Sequence, residues 1–211
     1  MKINNVIYRD LVKEDYERLK ELIGSAFGFN QFIKDKKFLD SVLNLYLQNC
    51  ILGSTFGKVA VKDNNVIGLI LGDAKKDKHH LRKAHNLFSI AKNGIKAIFS
   101  KSDNKKSLKE FSKIDDAYKE IIKGKKDDFQ GCIQLFIVSE ESRGLGVGKT
   151  LVKQLFSYMK SMDVKKLYLY TDTRCNYGFY DSQNFKRLNS KEVYFDSLNE
   201  SLDIFLYGYD L

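Results

Sequence analysis

Ser142-Arg143-Gly144-Leu145-Gly146-Val147-Gly148-Lys149-Thr150 joins two stretches of different character. Before it runs Cys132-Ile133-Gln134-Leu135-Phe136-Ile137-Val138, a short apolar and β-branched run that reads as a strand. After it, from about Gly146 to Met162, the chain reads as an amphipathic helix. The first-turn amides of a helix have no intrahelical acceptor, and the helix dipole there favours negative charge. Glycines let such a backbone come close to a phosphate. The physical reading of this loop is a diphosphate site.

Downstream, Lys166-Leu167-Tyr168-Leu169-Tyr170 reads as a strand and Tyr177 to Gln183 as a short helix. Two closing strands are expected around Lys191 to Phe195 and Leu202 to Tyr209. Upstream, Ile3 to Arg9 reads as a strand. Leu19, Leu22, Ile23 and Phe27 recur at helical spacing, and a second helix fits about Phe38 to Ile51. Lys58 to Val61 and Val66 to Leu71 flank Asp63-Asn64-Asn65, a hairpin signal because Asn tolerates positive φ. Between these halves lies a segment from about 75 to 128. Leu81, Ala84, Phe88, Ala91, Ile95 and Ile98 mark one amphipathic helix there. Ser107 with Glu110 forms a capping box for another, closed by Gly124.

The 211 residues carry 36 Lys+Arg against 27 Asp+Glu, a net of +9. Lys75 to Lys126 alone hold 16 Lys+Arg and 6 Asp+Glu, so +10 sits in that segment and −1 in the rest. A uniformly basic nucleic-acid protein would look different, and no nucleic-acid partner is expected. The length suits a single domain over 1–211 carrying a basic helical insert at about 75–128. Cys50, Cys132 and Cys175 are odd in number and widely spaced, which argues against a disulfide framework and fits a reducing cytoplasm. No apolar run approaches the ~18 residues of a membrane-spanning helix. The start of the chain lacks the apolar stretch of a secretory signal.

Three nucleotide motifs compete for the loop. A P-loop needs Gly-x-x-x-x-Gly-Lys-Thr, and Arg143 stands where its first glycine belongs. A dinucleotide fingerprint needs Gly-x-Gly-x-x-Gly, and the spacing Gly144-x-Gly146-x-Gly148 is out of register. Arg-x-x-Gly-x-Gly is matched in full by Arg143, Gly146 and Gly148. This third pattern resembles the pyrophosphate loop of the GNAT superfamily of acyl-CoA-dependent N-acetyltransferases. Asn176-Tyr177-Gly178-Phe179-Tyr180-Asp181-Ser182-Gln183-Asn184-Phe185 resembles the second signature of that family. The sequence departs from the family in its long insert and in Asn184, where glycine is commoner.

The resemblance implies an α/β fold with a mixed sheet. Its order is strand, two helices, two strands, the helical insert, then strand, helix, strand, helix and two strands. It implies acetyl-CoA as cosubstrate and a small-molecule or peptide amine as acceptor. Phe136 and Val138 would offer backbone groups to the pantetheine arm. The amides of Arg143, Gly144, Leu145, Gly146, Val147 and Gly148 would hold the pyrophosphate, and Thr150 could add a hydroxyl. Asn176 would bond the arm, and Tyr180 would protonate the leaving thiolate in a direct transfer. No position matches a general base of the family. Asp73, Glu140 and Asp172 are carboxylates near the expected site, Asp172 at the end of its strand is the first choice among them, and water could serve instead.

Blander readings stand beside these. Lys149 reads as a solvated helix-face lysine, and Tyr168 and Tyr170 as packed strand residues. His79, His80 and His85 form no i,i+4 pair, and no metal is expected. The insert reads as packed amphipathic helices, as an acceptor lid, or as a cationic membrane-surface anchor. The rival to an enzyme is a degenerate module that docks its basic insert to nucleic acid or an anionic membrane. The closing strands could pair between subunits, which would give a homodimer.

Overall fold

Apolar residues at period two gather into a single seven-stranded sheet in a computed structural model, which describes residues 6–81, 102–196 and 199–211. The strands are β1 (Ile7–Asp10), β2 (Phe56–Lys62), β3 (Asn65–Ala74), β4 (Gly131–Val138), β5 (Lys166–Asp172), β6 (Lys186–Phe195) and β7 (Glu200–Asp210). The helices are α1 (Tyr16–Ala26), α2 (Phe29–Phe32), α3 (Lys36–Leu52), α4 (Ser102–Ile121), α5 (Val147–Ser161) and α6 (Gly178–Ser182). The spatial order is β1-β2-β3-β4-β5-β7-β6. Neighbours are antiparallel except β4 and β5, which run parallel. The mixed α/β fold and its element order match the expectation. The closing strands are longer than read, and they pair with each other within the chain.

Local chemistry explains the elements. Asp63 and Asn64 take φ of 49° and 62°, the left-handed pair that a two-residue hairpin between β2 and β3 requires. Asp35 caps α3 by accepting the amides of Lys37 at 3.0 Å and Phe38 at 3.1 Å. Two expectations shift. The short helix α2 was not foreseen. Ser107 does not start a helix, because Asn104, Lys105 and Lys106 already continue α4 upstream, and lysine is a good helix former. Of the helix expected over 81–98, residues 82–98 lie outside the described residues, as do His85 and Ile3.

A bulge in β4 sorts the core. Leu71 pairs with Leu135 but Gly72 pairs with Ile133, so Gln134 is the extra residue. Ile133 therefore packs with α5 on one face, while Leu135 and Ile137 pack with α1 and α3 on the other. Beyond β4, the face shared with α1 and α3 is covered by the insert helix α4. Its Ala117 and Ile121 bury against Val193, Phe195, Ile204 and Leu206. Two helical groups thus flank one face of the sheet, with β4 and β5 between them.

Candidate active site

β4 and β5 pair only at Gly131↔Leu167 and Cys132↔Tyr168, then part. Ser139 donates its amide to the Ile67 carbonyl at 2.8 Å, so it faces β3. Backbone groups alternate sides along a strand, and so those of Phe136 and Val138 turn to the opened edge. A cavity of about 680 Å³ fills the gap. It lies between the α5 loop, α6, the C-terminal ends of α1 and α3, and α4.

One end of the cavity is made of backbone. Gly144 and Gly146 take φ of 83° and 75°, and a Cβ at either would meet nothing within 4 Å. Glycine is needed there for the left-handed turn rather than for space. Gly148 differs. A Cβ there would lie 3.3 Å from both Phe136 Cζ and Phe179 Cε2, so two rings pack onto the bare backbone. No side chain caps α5, which leaves its first-turn amides for an outside acceptor. Arg143 pairs with Glu140 at 3.2 Å beside this turn. These features fit a diphosphate, and the open edge of β4 fits an amide-bearing arm.

Tyr180 sits deeper, 7% exposed. Its ring is held by Phe136 at 6.2 Å, Phe185 at 5.5 Å and Tyr207 at 5.9 Å between centroids. Tyr207 donates to Asp181 at 2.8 Å and accepts from Arg187 at 3.0 Å, which ties α6 to β6 and β7. Burial above all, with Cys175 and Asp172 close by, pushes the Tyr180 phenol strongly up. It keeps its proton at neutral pH. Asp172, at the end of β5, accepts the amides of Arg174 at 2.8 Å and Cys175 at 3.2 Å through Oδ1. Burial raises its carboxyl above the ordinary value despite those bonds. The Cys175 thiol is pushed up to about 12, by burial and then by Asp172, so it is a neutral wall rather than a nucleophile.

Phe136, Val138, Arg143, Gly144, Gly146, Val147, Gly148, Asn176 and Tyr180 all line this one cavity. Leu145 and Thr150 do not. Leu145 is exposed, and the Thr150 hydroxyl donates to the Gly146 carbonyl of its own helix at 3.2 Å. Of the candidate bases, Asp172 and Glu140 line the cavity, Glu140 paired to Arg143 at the α5 end, and Asp73 lies elsewhere, next to Thr55. Lys149, Tyr168 and Tyr170 border the cavity as well.

Sequence reasoning missed Tyr46 and Cys50 on α3 and Asp115 and Tyr118 on α4, which close the other end. Tyr118 stacks on Tyr170 at 4.1 Å, and the Tyr170 hydroxyl donates to the Tyr118 carbonyl at 3.2 Å. No spacing rule brings α3 and α4 to one site, since 49 residues separate Leu52 from Ser102. Among the described residues, no group of three His, Cys, Asp or Glu could hold a metal ion. None of the described helices is long and apolar enough to cross a membrane.

Solved structures share this architecture. Drosophila melanogaster polyamine N-acetyltransferase, an enzyme that forms N-acetylagmatine, superposes with a TM-score of 0.58 at 9% identity, covering 98% of this chain and 100% of its own. Arabidopsis thaliana NAA60 in complex with a bisubstrate analogue gives 0.56 at 16% identity, with 98% of each chain covered. An N-acetyltransferase from Staphylococcus aureus Mu50 gives 0.56 at 13% identity, again with 98% of each covered. At such identities the likeness speaks for the fold. No curated protein matches the sequence. The family model for the acetyltransferase (GNAT) family matches residues 16–185, which takes in the loop, α6 and both strands of the gap. The chain therefore belongs to the GNAT acetyltransferase family.

Proposed function

We propose that the protein is an acetyl-CoA-dependent N-acetyltransferase that works by direct attack of an amine within a ternary complex. The observation that carries this is the junction where β4 leaves β5. There, uncapped amides, an open strand edge, a protonated phenol and a carboxylate share one cavity. Bound acetyl-CoA supplies the activated acetyl group. Backbone amides from Arg143 to Gly148 grip the diphosphate, while the Phe136 and Val138 backbone and Asn176 align the arm. The acceptor amine attacks as its neutral form, and Asp172 takes the proton that its nitrogen sheds as the bond forms. A β4 amide near Phe136 to Val138 polarises the thioester carbonyl. The new C–N bond forms, the C–S bond breaks, and Tyr180 gives its proton to the departing sulfur. Exchange with solvent then moves the proton from Asp172 back to Tyr180.

Three unpaired cysteines suit a reducing compartment, and we place the enzyme in the cytoplasm. The rival reading, a docking module, gains no support. The described helix of the basic segment spends Ala117 and Ile121 on the core and lends Asp115 and Tyr118 to the cavity.

Calorimetry with acetyl-CoA tests the reading. Binding should be saturable, and a hundredfold excess over Kd should stabilise the fold by about 2.7 kcal/mol. No heat and no shift in Tm would end it.

A further inference from the structure

The end of the cavity away from α5 has a chemistry of its own. Asp115 of α4 and Asp172 of β5 both border it, and both charges bear on the Tyr118 phenol. Among the described residues, Asp115 makes no ion pair within 4 Å. Asp115 stands at the exposed rim, partial burial raises its carboxyl, and Lys119, one turn on, acts on it through space while bonding Asp116 at 3.1 Å. Arg174, the cation on this side, is paired with Glu200 at 2.8 Å. The remaining charge is negative, and tyrosine and phenylalanine rings surround it. Tyr46 packs on Phe27 at 5.9 Å and Tyr118 on Tyr170 at 4.1 Å. Carboxylates beside aromatic faces attract cations. The remaining cationic side chains of the cavity, Arg143 and Lys149, stand at the α5 end.

We propose that the acceptor is a small aliphatic amine with a second cationic group, held by Asp115 and the tyrosine wall while its reacting nitrogen meets Asp172. This rests on the acetyltransferase reading above. The insert then has a task. It brings to this end of the cavity a second carboxylate beside Asp172. The same arrangement disfavours acceptors with a carboxylate near the amine, because a third negative charge would face two others.

Three amines that differ only at the far end test this: 1,4-diaminobutane, 1-aminobutane and 4-aminobutanoate. Acetyl-CoA binding is measured first, by calorimetry. Its failure sinks the acetyltransferase reading. Given that binding, each amine is titrated into the CoA complex and assayed by thiol release. The diamine should bind and react better than the monoamine by about tenfold or more, the worth of one charge-assisted contact. The amino acid should be the poorest of the three. Asp115→Asn should shrink the advantage of diamine over monoamine to about twofold or less, mainly through KM, and Asp115→Glu should restore it. Equal use of diamine and monoamine by the wild-type protein, preference for 4-aminobutanoate, or a diamine advantage that survives in Asp115→Asn would each overturn the proposal and leave the cofactor reading intact.

Discussion

The two ends of the cavity are built from different materials. The α5 end is backbone: two left-handed glycines, a third glycine under two aromatic rings, and an uncapped helix. The α4 end is side chain: carboxylates and phenols, borne in part by an insert. A backbone site demands particular residues, because only glycine accepts the turn or the ring contact. A side-chain site demands only that some helix present the right groups, and many sequences can do so. The difference teaches which parts of a shared reaction are held in the fold and which are left to vary.

The comparison breaks most visibly at Gly146. Asp there places a carboxylate at a left-handed position against the diphosphate, so acetyl-CoA affinity should fall by about a hundredfold or more in calorimetry. Retained binding would remove the loop from the site. Tyr180→Phe probes the chemistry between the two ends. Turnover should fall by about a hundredfold or more, as for loss of a general acid, with cofactor Kd within about twofold.

Asp172→Asn comes next, and pH shows its effect best. The base works ionised, so kcat/KM should rise with pH along a limb centred above the ordinary carboxylate value, and this limb should vanish in the variant. Stability has the opposite sign. A carboxyl raised in the fold adds stability that is full below its unfolded pKa and lost as pH rises through the folded one. At neutral pH the Asn variant should therefore melt no lower than wild type. Thr150→Ala gives the smallest effect. Its hydroxyl serves its own helix, and acetyl-CoA affinity should change by about twofold at most.

The legible parts of the sequence were those with a local rule. The hairpin at Asp63-Asn64 and the helix after Gly146 follow from φ preferences and periodicity. Asn184, the departure from the family pattern, has φ of 65°. It sits where left-handed backbone is needed, and Asn tolerates that best after glycine. Gly148 was read for phosphate approach, and the structure adds two rings packed on it. The acceptor end was hidden because it depends on tertiary adjacency. Tyr118 and Asp115 look like one helix turn among lysines until Tyr170 is found under Tyr118. Tyr168 and Tyr170 read as core because alternation reveals that a strand is packed, not what it is packed against.

The short pairing of β4 with β5 has a mechanical consequence. Strand pairing between the block β1-β2-β3-β4 and the block β5-β7-β6 is confined to two residue pairs, beside which Gln130 bonds Lys166 at 3.0 Å and α5 packs on both blocks. The sheet has a seam, and a thioester arm lying along it would act as mortar. Without that arm the two blocks should exchange their amide hydrogens as separate cooperative units, and with it they should be protected together.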